Sequence, residues 1–208
     1  RSMDPENPRT LALTGILELR MENAAAAKPK LLQAVAADPS IPEAWLSLAQ
    51  IYMQDKAYME ALDSARKALA LEPENEAYQE AVAEALFSAE QWEEALPMFQ
   101  KILEQRGGNS FGTMTRIVDI TMKLGSDDER IAILMKMASK YPRYPVIYME
   151  LGKRFETMNR LPEAVEAFER LSEILPEDPA AFLNLARIYD RLGMPDQTVS
   201  AVKKAVKQ

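Results

Sequence analysis

Three carboxylate runs are the side chains in this 208-residue chain whose type and spacing come nearest to catalytic or metal chemistry: Glu72-x-Glu74-x-Glu76, Glu93-Glu94 and Asp127-Asp128-Glu129. Clustered carboxylates can hold a metal ion, or divide into an acid and a base where their environments differ. Neither use is expected here. Each run falls at a turn or a helix start, where the helix dipole favours negative charge without any ligand. The chain has no His and no Cys. That removes thiolate and imidazole metal sites, Ser–His–Asp triads, Cys–His dyads and disulfides. No catalytic residue, metal or cofactor is expected, and function is sought in binding.

Behind those residues stands an ordinary globular composition. Apolar residues make up 48% and charged residues 27%, which argues against disorder. No apolar run nears the roughly 18 residues needed to cross a bilayer, so direct membrane insertion is not expected. Arg1-Ser2-Met3 reads as the remnant of an expression tag, and residues 1–7 as tag and leader. The lack of Cys fits the cytosol, the favoured compartment, and also a periplasmic domain without disulfides. A net charge of −7 argues against nucleic acid as partner. Residues 1–104 carry 9 Lys+Arg against 18 Asp+Glu, and residues 105–208 carry 16 against 14, so the acidity is concentrated in the first half.

The prolines supply a ruler. Pro39 and Pro73 are 34 residues apart, as are Pro142 and Pro176, Pro8 and Pro42, and Pro145 and Pro179. With Pro42 as position 1, Trp45, Leu48, Ala49 and Tyr52 fall at positions 4, 7, 8 and 11. Ala61, Ala65 and Ala68 fall at 20, 24 and 27. Each set lines one face of a helix, and both are expected to be core. The same slots hold Tyr148, Leu151, Gly152, Phe155, Ala164 and Phe168 from Pro145, and Phe182, Leu185, Ala186, Tyr189, Val202 and Ala205 from Pro179. Small residues at 8 and 20 mark the closest approach of two helices. Ser40 and Glu43 read as a capping box, as do Ser126 and Glu129. Pro29 and Pro97 share position 22, expected in the first turn of a second helix.

This pattern, with its W-L-S-L-A-Q-I-Y…A-Y-M-E-A-L…A-L-A-L-E-P run, resembles the tetratricopeptide repeat (TPR) family over nearly the whole chain. The resemblance implies an all-α, right-handed α-solenoid of about six helix–turn–helix repeats. Three are expected over 8–106, an irregular Gly-Gly link at 107–110, and three over 111–208, forming one continuous solenoid. The fourth repeat is degenerate, with Val118, Thr121 and Arg130 at positions 8, 11 and 20. This reads either as a tolerated irregular repeat or as a bend or hinge, since paired glycines at a helix end allow left-handed geometry, and a local change in superhelical pitch is expected there.

In that family the first helix of each repeat lines a concave groove. The corresponding positions here are Leu46, Gln50, Met53, Glu80, Glu84 and Phe87 in repeats two and three, and Arg116 and Asp119 in repeat four. Repeats five and six contribute Met149, Lys153, Asn184, Arg187 and Arg191. The groove therefore reads as apolar and acidic at one end, apolar and basic at the other. The carboxylate clamp with which some family members hold chaperone tails is incomplete, since Met149 and Lys153 stand where Lys and Asn are needed. The expected function is a non-catalytic adaptor or scaffold for a protein or peptide ligand. The alternatives are a self-assembling homo-oligomer joined through groove or ends, and the recruiting arm of a larger enzyme or of an envelope or secretion complex.

Overall fold

The computed structural model describes residues 7–207, so the reading of Arg1-Ser2-Met3 lies outside the described residues. The described residues form twelve α-helices and no strand. The chain divides into two compact units, Arg1–Arg106 and Gly107–Gln208.

The N-terminal unit holds α1 (Pro8–Arg20), α2 (Ala24–Ala37), α3 (Pro42–Gln54), α4 (Tyr58–Leu71), α5 (Glu76–Ser88) and α6 (Trp92–Gln105). Consecutive helices pair as hairpins, and α1, α3 and α5 lie side by side. The C-terminal unit holds α7 (Phe111–Thr121), α8 (Asp127–Lys140), α9 (Pro145–Thr157), α10 (Leu161–Ile174), α11 (Pro179–Arg191) and α12 (Pro195–Val206). Its helices pair in the same way, with α7 beside α9.

Local chemistry explains the helix starts. Asn7, Asn23, Asn75, Ser110, Ser126 and Asp178 each accept a hydrogen bond from a first-turn N–H, meeting donors that no helix can satisfy alone. Pro42, Pro145, Pro179 and Pro195 open their helices, where a missing N–H does no harm. Ser126 and Glu129 form the expected capping box. Ser40 does not. Its N–H and hydroxyl both donate to Asp38, and α3 starts one residue later than that reading requires, with Ile41 as its N-cap. Pro29 and Pro97 also differ from expectation. Each is the sixth residue of its helix, within its second turn, so each leaves the carbonyl four residues earlier without its usual donor.

The corner inside each hairpin recurs at one slot. Position 15 has positive φ in all six repeats: Glu22, Lys56, Glu90, Gly125, Asn159 and Gly193. In five of them the amide at position 16 reaches back to the carbonyl at position 11, as Ala57 does to Tyr52, the bond that closes a Schellman helix end. In the fourth repeat, the amide of Ser126 bonds instead to the Glu129 carboxylate.

The two apolar stripes meet between paired helices. Leu31, Leu48, Ile51, Leu62, Leu86 and Phe99 are fully buried in the N-terminal unit, as are Met114, Ile117, Ile120, Leu134 and Phe168 in the C-terminal one. Ala49, Ala61, Ala83, Ala95 and Ala164 are buried at the close approach. A methyl group added at Gly152 would stand 2.5 Å from the Phe168 ring. Not every patterned residue is core. Trp45, Tyr52 and Tyr189 are only half-buried and Val202 is exposed.

Half-burial of Trp45 has a cause. Its indole N–H donates to the carbonyl of Pro39 at 2.9 Å, which holds the ring near the surface. The same slot in other repeats repeats the device: Gln79 donates to Pro73 at 2.7 Å and Tyr148 to Pro142 at 3.2 Å. A polar tip at position 4 thus ties α3, α5 and α9 to the proline before each of them.

The degenerate fourth repeat uses different contacts. Arg130, in the slot of a small residue, turns away from the close approach, donating to the Leu124 carbonyl and to Asp127. Thr121 is buried, with its hydroxyl on the Ile117 carbonyl. Gly107 and Gly108 have φ of +62° and +73°. The Tyr144 hydroxyl donates to the Gly108 carbonyl and accepts from the Ser110 amide, and the Tyr144 ring packs with those of Phe111 and Tyr141.

Candidate functional site

In the N-terminal unit the first helices present a continuous face. Leu13, Ile16 and Leu17 of α1 and Glu43, Leu46, Gln50 and Gln54 of α3 line one cleft. Leu46, Gln50 and Met53 of α3 and Glu80, Ala81 and Glu84 of α5 line the next. Five of the six residues assigned to this end from the sequence are therefore brought together. Phe87 is not among them: its ring packs edge-on against Trp92, 5.2 Å away, and Phe99, 6.3 Å away, inside the α5–α6 hairpin. Leu13 and Leu17, neither among those six, are 63% and 57% exposed. Helical spacing alone could have found the pair, since they stand one turn apart on the face that also carries Ile16.

The acidic character of this face is partly answered from within. Arg106 at the end of α6 reaches Glu80 with both terminal guanidinium nitrogens, at 3.0 and 3.2 Å, and Glu80 holds the guanidinium pKa above its ordinary value. Glu43 is exposed, with no ion pair among the described residues.

In the C-terminal unit the groove cations on α9 and α11 meet carboxylates. Arg187 and Arg191 share Glu156, at 2.7 and 3.2 Å, and Lys153 pairs with Glu150 at 2.7 Å. The Glu156 side chain is 17% exposed, so water weakens these pairs less than at an open surface. Arg187 also donates to Asn184, and Arg191 to Asn159. Asn184 in turn donates to the Ala180 carbonyl and lies 3.8 Å from the Met149 sulfur. This face was read as basic. It is a network closed by Glu150 and Glu156; Glu150 stands at position 6 of its repeat, the slot that Asn184 fills in the next, though the set drawn from the sequence does not include it.

On α7, Arg116 and Asp119 are both half-buried. Burial pushes the Asp119 carboxyl pKa up; the Arg116 charge opposes the rise, and Glu150 adds to it.

The three carboxylate runs sit at turns and helix starts and have partners. Glu94 pairs with Arg66, Asp127 with Arg130 and Arg154, and Glu72 accepts from Asn75. Among the described residues no group of three or more acidic side chains is arranged to hold a metal ion, and no helix is long and apolar enough to cross a membrane.

A family model described as tetratricopeptide repeat matches residues 13–76, 58–110 and 149–207. The stretch between the last two segments contains the degenerate repeat. No curated protein sequence matches the chain. Solved structures do. The chain is similar to PilW, described as a widely conserved type IV pilus biogenesis factor, with 19% identity over 93% of this chain and 90% of that one, at a TM-score of 0.55. It is similar to pilF of Pseudomonas aeruginosa, with 16% identity over 93% and 88%, at 0.58. It is also similar to YrrB, described as a TPR protein with an unusual peptide-binding site, with 19% identity over 98% and 87%, at 0.52. These likenesses establish the all-α hairpin-repeat fold.

Proposed function

This chain belongs to the tetratricopeptide repeat family, and on that premise we propose that it is a non-catalytic adaptor holding a protein or peptide segment on the face of its first helices. The observation that carries this is the apolar cleft of α1 and α3, where Leu13 and Leu17 are left open beside Leu46. Exposed apolar side chains in a concave setting, rimmed by polar groups, are what a docking surface requires. A similar structure described as having a peptide-binding site, and another described as a pilus biogenesis factor, fit the same reading. The candidate contacts are Leu46, Gln50, Met53, Glu80 and Glu84 in the N-terminal unit. In the C-terminal unit they are Arg116, Asp119, Met149, Lys153, Asn184, Arg187 and Arg191. An array of overlapping peptides, probed with the chain and with Leu46→Ser/Met53→Ser and Arg187→Glu/Arg191→Glu variants, tests it. Loss of captured peptides in either variant is the expected result. Identical capture by all three proteins would sink the groove reading.

Self-assembly is a second reading, favoured by α12, where Val199, Val202 and Val206 are exposed beside Lys203 and Lys207. Light scattering over a range of concentration tests it, and a constant monomer mass rejects it.

A further inference from the structure

The faces of the two units differ in what they leave unsatisfied. In the C-terminal unit Glu156 and Glu150 already hold Arg187, Arg191 and Lys153. A ligand there would have to break bonds before making any. In the α1–α3 cleft the reverse holds. Leu13 and Leu17 are open, and Glu43, Gln50 and Gln54 make no side-chain hydrogen bond or ion pair among the described residues.

We propose that this cleft takes a basic amphipathic helix from a partner protein. The inference rests on the adaptor reading and names the chemistry of its ligand. Three observations carry it. The first is spacing. Leu13 and Leu17 stand four residues apart in the cleft, and the 69% exposed Met21 follows at the same interval just past the end of α1, giving an apolar row of about 12 Å. The ridge of every fourth side chain on a second helix has the matching repeat.

The second is hydrogen bonding. An extended segment brings a row of backbone N–H and C=O groups that must be met by its host. The cleft offers only scattered side chains, chiefly Glu43, Gln50, Gln54 and Arg20. A helix arrives with its backbone already satisfied.

The third is charge. Residues 1–104 carry twice as many acidic as basic side chains, 18 against 9, around a cleft whose own charged lining is Glu43 and Arg20. On the adjoining face the chain's own Arg106 is seated on Glu80 through two nitrogens. A carboxylate of these first helices thus already receives a guanidinium in the fork geometry that arginine favours.

The test uses the full chain and three labelled peptides of about 18 residues, long enough to be helical, read by fluorescence anisotropy. One is a Leu/Lys amphipathic helix, one has the same composition scrambled so that its leucines share no face, and one is a Leu/Glu amphipathic helix. The expected result is that the Leu/Lys helix binds about tenfold or more tighter than the other two. Leu13→Ser/Leu17→Ser should weaken it about tenfold, Glu43→Gln more mildly, and Arg187→Glu/Arg191→Glu hardly at all. Leu13 and Leu17 are exposed, so circular dichroism should find the first variant as helical and as heat-stable as the parent. Equal binding of the scrambled or acidic peptide, no binding of the Leu/Lys helix, or loss only in the Arg187/Arg191 variant overturns the inference. The adaptor reading then stands or falls separately on the peptide array. Self-association of the chain that is abolished by Leu13→Ser/Leu17→Ser would also overturn it, because the occupant would be a second copy.

Discussion

The Tyr144 hydroxyl lies 2.5 Å from the Gly108 carbonyl and 2.8 Å from the Ser110 amide, so one side chain closes the turn that leads into α7. Tyr144→Phe keeps the ring and its packing but strands two part-buried backbone groups. Stranding buried polar groups costs about 1–3 kcal/mol. Urea denaturation should find that loss, and a midpoint equal to the parent's would contradict the assignment.

Gly107 and Gly108 look interchangeable in sequence and are not. Both have left-handed φ, which costs any other residue about 1 kcal/mol. A Cβ at Gly107 would meet nothing within 4 Å, whereas at Gly108 it would stand 2.6 Å from the Tyr141 ring. Gly108→Ala should therefore destabilise clearly more than Gly107→Ala in the same denaturation series. Equal effects would mean that Tyr141 yields without cost.

Gly152 tests the close approach of α9 and α10. Its added Cβ would fall 2.5–2.8 Å from three atoms of the Phe168 ring, and overpacking of this kind costs about 1–3 kcal/mol. Gly152→Ala should lower the melting temperature, and adding Phe168→Leu should recover part of the loss. If the double variant is merely the sum of two losses, the ring is not what the methyl group strikes.

Asp119 should make stability depend on pH in the direction opposite to a salt-bridged carboxylate. Burial raises its folded pKa, so the folded state pays for the charged form at neutral pH. The penalty is complete above the folded pKa and disappears once pH falls below the unfolded value of about 3.9. Asp119→Asn should raise the melting temperature at pH 7, with the gain fading on acidification. A gain that persists unchanged at pH 3 would assign the effect to something other than ionisation.

The helices were legible because proline spacing and two apolar stripes repeat with one period, and a stripe of that kind has few ways to be buried. Contacts made by the tips of long side chains were not legible. Nothing in the sequence separates Trp45 as a hydrogen-bond donor to Pro39 from Trp45 as a plain core ring, and both readings put it in the same slot. The polarity of the C-terminal face was misread for a related reason. Counting Lys153, Arg187 and Arg191 gives the charge of a surface, but whether Glu150 and Glu156 reach them depends on neighbouring helices. Ser40 does not cap α3 because Asp38, two residues earlier, takes both its N–H and its hydroxyl.

The left-handed corner at position 15 has a consequence for engineering. Glu22, Lys56 and Glu90 each occupy an exposed position where glycine would be relaxed, as it is at Gly193. Relieving one such corner is worth about 1 kcal/mol, and sites 34 residues apart that share no partner should combine additively. The chain thus comes with three independent notches on one dial, by which its resistance to unfolding could be raised stepwise without touching the faces assigned to binding.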